Sequence, residues 1–137
     1  KRWLENFKKP IFVCSGNHDV SEPGDVSWIR ASNIYADGNI KTLEGIKFGC
    51  APYLCADILD FAECDVLLTH IPPAHTQTSI ERGRDFGDKE LFRALKYGLL
   101  KAKIILCGHV HNPLLDIDKI GDCTIYNSSL KLNILEI

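Results

Sequence analysis

The chain has 137 residues, 45% of them hydrophobic and 25% charged, with a formal charge of -2 at neutral pH. That length suits a single domain with a real core, and that balance is the mark of a soluble globular protein, not a disordered or membrane-embedded one. With no basic excess to displace counterions, a nucleic-acid binder held by bulk electrostatics is excluded.

Six cysteines stand at 14, 50, 55, 64, 107 and 123, and no pair has the C-x-x-C spacing of a zinc ribbon or redox motif. Cys14, Cys64 and Cys107 lie in or beside apolar runs, where a free thiol acts as a small hydrophobe. All six are therefore expected to be reduced, which points to the cytoplasm. There is no methionine and residue 1 is lysine. Residues 1–137 are accordingly expected to be a single but incomplete domain, the carboxyl-terminal part of something longer. No secretory or transmembrane stretch lies within it.

In chain order, Lys1 to Lys9 carries Trp3, Leu4 and Phe7 at helical spacing and stops at Pro10, as the last turns of a helix would. Ile11 to Cys14 is an apolar run that fits a strand covered on both faces, and Gly16-Asn17-His18-Asp19 turns away from its end. Asp25 is placed to cap a short helix through Trp28, Ile29 and Ala31. Asn39 to Leu43 and Ile46 to Cys50 alternate around Glu44-Gly45 and predict a hairpin. Ala56 to Ala62 is amphipathic and predicts a short helix. Val66 to Thr69 is a second apolar strand, closing on His70-Ile71-Pro72-Pro73. Ala74 to Gly87 is polar without periodicity and reads as a long irregular loop of the kind kept for a site. Asp88 predicts a helix cap, with Leu91, Phe92, Leu95 and Leu99 as the apolar stripe behind it. Lys103 to Cys107 is a third strand, running into Gly108-His109-Val110-His111. After a polar turn, Thr124 to Asn127 and Leu130 to Ile137 read as two terminal strands. The order mixes strand–helix–strand units with hairpins, so mixed sheets with covering helices are expected, an α/β fold.

Of the five histidines, His18, His70, His109 and His111 lie at the ends of apolar strands. Loops at the carboxyl ends of strands are where open α/β sheets bind ligands. A neutral imidazole offers a lone pair to a metal, and imidazoles joined by the amide oxygen of Asn17 suit manganese, iron, zinc or nickel better than calcium. Any one of these loops read alone is an ordinary turn or a hydrogen-bonded structural histidine. Three of them after three strands are not explained that way. His75 stands outside the pattern and reads as an exposed loop residue.

Gly16-Asn17-His18-Asp19, Thr69-His70 and Gly108-His109-Val110-His111, in that order, resemble the calcineurin-like metallophosphoesterases. Ile46-Lys47-Phe48-Gly49, His70-Ile71-Pro72-Pro73 and Ile125-Tyr126-Asn127-Ser128-Ser129 are similar to that family as well. The resemblance implies a four-layer α/β/β/α sandwich with two divalent transition-metal ions at the sheet edges, manganese foremost. It implies Asn17, His70 and His109 as ligands of one ion and His111 as a ligand of the other. It implies His18 as the proton donor to the leaving oxygen, with Asp19 orienting it. The reaction so implied is hydrolysis of a phosphate ester, on a small molecule or a nucleotide.

The family's Asp-x-His and Gly-Asp-x-x-Asp motifs, which supply the other ligands and the bridging carboxylate, do not precede Asn17. These 137 residues are therefore expected to be inactive by themselves, and a non-catalytic protein-binding scaffold on the same fold is the competing reading. Arg82 and Arg84, beside Gly83 and Gly87, are the candidates to meet a substrate phosphate.

Overall fold

A computed structural model describes residues 7–19 and 33–136. The first strand, β1 (Ile11–Phe12), pairs in parallel with β2 (Ile34–Tyr35), and Val13 N extends the ladder to Tyr35 O at 2.9 Å. The helix expected to end at Lys9 falls outside the described residues except for 7–9, which are exposed and not helical. The one expected from Asp25 to Ala31 lies wholly outside them.

The predicted hairpin forms from β3 (Ile40–Leu43) and β4 (Ile46–Cys50), antiparallel around Glu44 and Gly45. Both turn residues have positive φ, 50° and 87°, as the tight turn that matches strand twist requires. β5 (Val66–Leu68) then pairs in parallel with β4. Between them, Ala56 to Ala62 forms a 3₁₀ turn (Ile58–Phe61) where an α-helix was expected. Asp57 caps it, accepting from Leu59 N at 2.9 Å, and Phe61 alone is buried. One buried side chain is too little to hold several helical turns.

The stretch from Ala74 to Gly87 is not irregular. It holds a small hairpin, β6 (Ile80–Glu81) and β7 (Arg84–Asp85), whose turn residues Arg82 and Gly83 have φ of 49° and 74°. Thr76, Thr78 and Ser79 are buried there with their hydroxyls bonded, so polar composition did not mean solvent exposure.

Helix α1 (Lys89–Lys96) begins where expected, Asp88 accepting from Glu90 N at 2.8 Å and Leu91 N at 3.0 Å. Leu91, Ala94 and Leu95 face the core; Leu99 lies beyond the helix end and is exposed. β8 (Ile104–Cys107), β9 (Ile117–Ile120) and β10 (Cys123–Asn127) complete a mixed sheet of order β3-β4-β5-β8-β10-β9.

β9 forms within the stretch before Thr124 that is expected to be a polar turn. The expected strand from Leu130 is instead exposed coil over the described residues, since β9 already occupies the edge of β10 that it would need.

Successive side chains on a strand point to opposite faces. Gly49, Leu67, Ile105 and Ile125 stand in one register row and face α1, where Leu67, Ile105 and Ile125 are fully buried. Each such side chain contributes about 1.5–3 kcal/mol by leaving water. On the opposite face Phe12 stacks on both Phe48 and Tyr35, with ring centres 4.7 and 5.2 Å apart. The small β1–β2 pair thus lies against the large sheet, and its strand end is brought over the ends of β5 and β8.

Candidate functional site

β5 and β8 are parallel neighbours, so the loops leaving their carboxyl ends emerge side by side. Thr69 N donates to Leu106 O at 3.0 Å and Gly108 N to His70 O at 3.0 Å, which carries the pairing past the strand ends into both histidine loops. Asp88 N donates to Pro72 O at 2.8 Å and Ala74 N to Asp88 O at 2.9 Å, tying the segment after His70 to the start of α1.

The Gly16–Asp19 loop is held from beneath. Ser15, fully buried, donates its N–H to Asp37 Oδ1 at 2.7 Å, and its hydroxyl accepts from Tyr53 N at 3.1 Å. Asp37 is buried too, and its Oδ2 has no partner among the described residues. Asp19 Oδ2 accepts from Gly16 N at 3.0 Å and Gly16 O from Asp19 N at 3.1 Å, which closes the turn. A Cβ on Gly16 would stand 2.7 Å from His70 Cε1, so only glycine lets the loop come this close to the imidazole.

Three groups from three loops converge. His70 Nε2 lies 2.8 Å from Asn17 Oδ1 and 3.1 Å from His109 Nδ1. The two rings meet edge to face at 4.9 Å, and the Tyr53 ring packs edge-on against His70 at 5.4 Å. His109 reaches this position through a left-handed backbone, φ 65°, unusual for a residue with a side chain. His18, Asp19 and His111 are exposed. All three act electrostatically on His70.

Burial pushes the His70 pKa down, and His109, His18 and His111 push the same way against Asp19. Burial, then His111, lowers that of His109. Both shifts favour the neutral ring, the form in which an imidazole can offer a lone pair. The Cys14 thiol nearby is raised to about 12, chiefly by burial, and so stays protonated and a poor ligand.

This donor set fits a transition-metal ion. One ring nitrogen makes a single well-aligned hydrogen bond, so His70 Nε2 cannot satisfy Asn17 and His109 equally; a shared cation can. Ligands about 2.1 Å from a common ion stand about 3 Å apart at right angles, close to the observed separations. Among the described residues no three His, Cys, Asp or Glu side chains are grouped to hold a metal, and the cluster is two imidazoles and an amide. Beside it a hollow of about 260 Å³ opens between Cys14, Leu68, His70, Leu106 and Ser129.

Arg82 and Arg84 project from the β6–β7 hairpin, exposed and without an ion-pair partner among the described residues. Their hairpin is fastened to the His111 loop. Glu81 Oε1 accepts from Asn112 N at 3.1 Å and Asn112 Nδ2 at 2.9 Å, and Leu114 N donates to Ile80 O at 3.0 Å. His75 is an exposed loop residue, as expected, with its N–H on Asp85 Oδ2 at 2.8 Å.

Reading the sequence missed Ser15, Asp37 and Tyr53, the residues that hold the Gly16–Asp19 loop. Their only signal was an unremarked polar side chain in a segment that folds under the loop. A family model for calcineurin-like phosphoesterases matches residues 1–113. No curated protein and no solved structure matches the chain.

Proposed function

The chain belongs to the calcineurin-like phosphoesterase family, and from that premise we propose that it supplies one side of a dinuclear centre for metal-dependent hydrolysis of phosphate esters. The observation that carries this reading is the meeting of Asn17 Oδ1, His70 Nε2 and His109 Nδ1 within 3.1 Å steps from three separate loops. These three would hold one divalent ion, manganese, iron, zinc or nickel, and His111 would reach toward a second. Such a pair supplies an activated water and neutralises phosphoryl oxygens.

The chain's own residues do the rest. His18, exposed beside the cluster, donates a proton to the leaving oxygen, and Asp19 next to it in the loop orients the ring. Arg82 and Arg84 meet anionic oxygens of the bound ester, a small molecule or a nucleotide. In this reading the carboxylates that complete the centre come from outside these residues and enter beside His70, where the hollow leaves room. The 137 residues alone then bind an ion without turning over substrate.

Manganese titration of the chain, followed by electron paramagnetic resonance, tests this. We expect one ion bound, lost in Asn17→Ala, His70→Ala and His109→Ala, and no hydrolysis of an aryl phosphate. Binding indifferent to all three changes overturns the ligand assignment, and robust turnover overturns the division of the centre. The competing scaffold reading draws on the cluster's having, among the described residues, no group of three His, Cys, Asp or Glu side chains; it predicts that no ion binds at all.

A further inference from the structure

Asn127 ends β10, opposite Cys107 in register, at the point where β8 gives way to the Gly108–His111 loop. Its side chain is 1% exposed and fully engaged. Nδ2 donates to Val110 O at 2.9 Å and to Thr78 O at 3.0 Å, while Oδ1 accepts from Ser129 N at 2.9 Å. Chemistry fixes this orientation, because a flipped amide would set its oxygen against two carbonyls.

Val110 sits between His109 and His111, so a grip on its carbonyl is a grip on both imidazoles. The loop needs one: His109 holds φ at 65°, a conformation that persists only where the surroundings enforce it. The second carbonyl leads to the other histidine loop. Thr78 Oγ1 bonds Thr76 Oγ1 at 2.7 Å, and Thr76 Oγ1 donates to Pro73 O at 2.8 Å, three residues beyond His70. One buried amide therefore links the segment after His70, the base of the β6–β7 hairpin and the His109–His111 loop.

We infer that Asn127 is a positioning residue for the metal-binding face: its amide holds the His109–His111 loop in its left-handed turn and sets it against the His70 segment. This rests on the proposed metal-binding role, but it concerns a residue outside the cluster that touches none of the ligands' side chains.

The test compares Asn127→Asp, Asn127→Ser and Ile125→Val in the full chain. Asp keeps the shape but turns a carboxylate oxygen toward two carbonyls; Ser keeps one donor on a shorter arm. Ile125→Val loosens the same strand from its core side, away from the loop. Two readouts are taken, amide nitrogen–proton shifts of 108–112 without metal, and manganese affinity. We expect the loop shifts to move in both Asn127 variants and not in Ile125→Val. We expect affinity to fall about 10–100-fold in Asn127→Asp, less in Asn127→Ser and not in Ile125→Val. Loop shifts and affinity that follow overall stability in the same way across all three variants overturn the inference. If the unaltered chain takes up no manganese, the metal reading falls, and the loop shifts still decide the role of Asn127.

Discussion

Replacing Gly16 by alanine is the sharpest probe of the cluster, because the added methyl aims at one ring. Its Cβ would lie 2.7 Å from His70 Cε1, 2.8 Å from Nδ1 and 3.2 Å from Nε2. Ordinary contact starts at 3.4 Å, so the ring must retreat by roughly 0.7 Å, the difference between 3.4 and 2.7. It has little freedom to do so without leaving Asn17 Oδ1 at 2.8 Å and His109 Nδ1 at 3.1 Å. Overpacking of this kind costs about 1–3 kcal/mol of stability. Displacing one ligand should weaken manganese binding about 10–100-fold, equivalent to about 1.4–2.8 kcal/mol. Gly108→Ala is the matched control, since its Cβ would meet only Ser129 Oγ at 3.4 Å and His70 O at 3.9 Å. We expect it to change stability by no more than about 0.5 kcal/mol. Urea unfolding and manganese titration of both variants give the comparison. A Gly16→Ala chain with unchanged affinity and unchanged unfolding midpoint would refute the packing of this loop on His70.

Three further outcomes follow from the same contacts. Gly87→Ala would set a Cβ 2.3 Å from Ala74 Cα and 2.5 Å from Ala74 N. Backbone cannot swing aside as a side chain can, so a loss of about 3 kcal/mol is expected in urea unfolding. Asp88→Ala removes the acceptor for Glu90 N and Leu91 N and should cost about 1 kcal/mol, with Asp88→Asn restoring most of it in the same assay. Burial raises the Asp85 pKa, but bonds from Ser79 Oγ, His75 N and Gly87 N, with His75 itself, outweigh it and hold the group below 3.8. A carboxyl lowered by folding stabilises above its unfolded pKa, and that contribution is lost as pH falls through the folded one. Asp85→Asn should therefore be less stable than the unaltered chain at neutral pH. The gap should close below pH 3.8, and a gap constant with pH would argue against the assignment.

What the sequence by itself determined is local. Apolar runs closing on Gly16-Asn17, Thr69-His70 and Gly108-His109 mark three strand ends, Glu44-Gly45 marks a hairpin and Asp88 a helix cap, because each depends on neighbours within a few residues. Readings that needed distant partners went astray. Leu130 onward has strand composition but no free edge beside β10, and Ala74 to Gly87 has loop composition but buried hydroxyls. Only the tertiary structure decided that Asn17 and His109, from two other loops, both stand within hydrogen-bond distance of His70. Only it set Asp37 beneath the first loop and Asn127 behind the third. A polar side chain in a sequence carries no sign of which buried carbonyl or amide it will meet; that pairing exists only once the parallel strands bring their ends together.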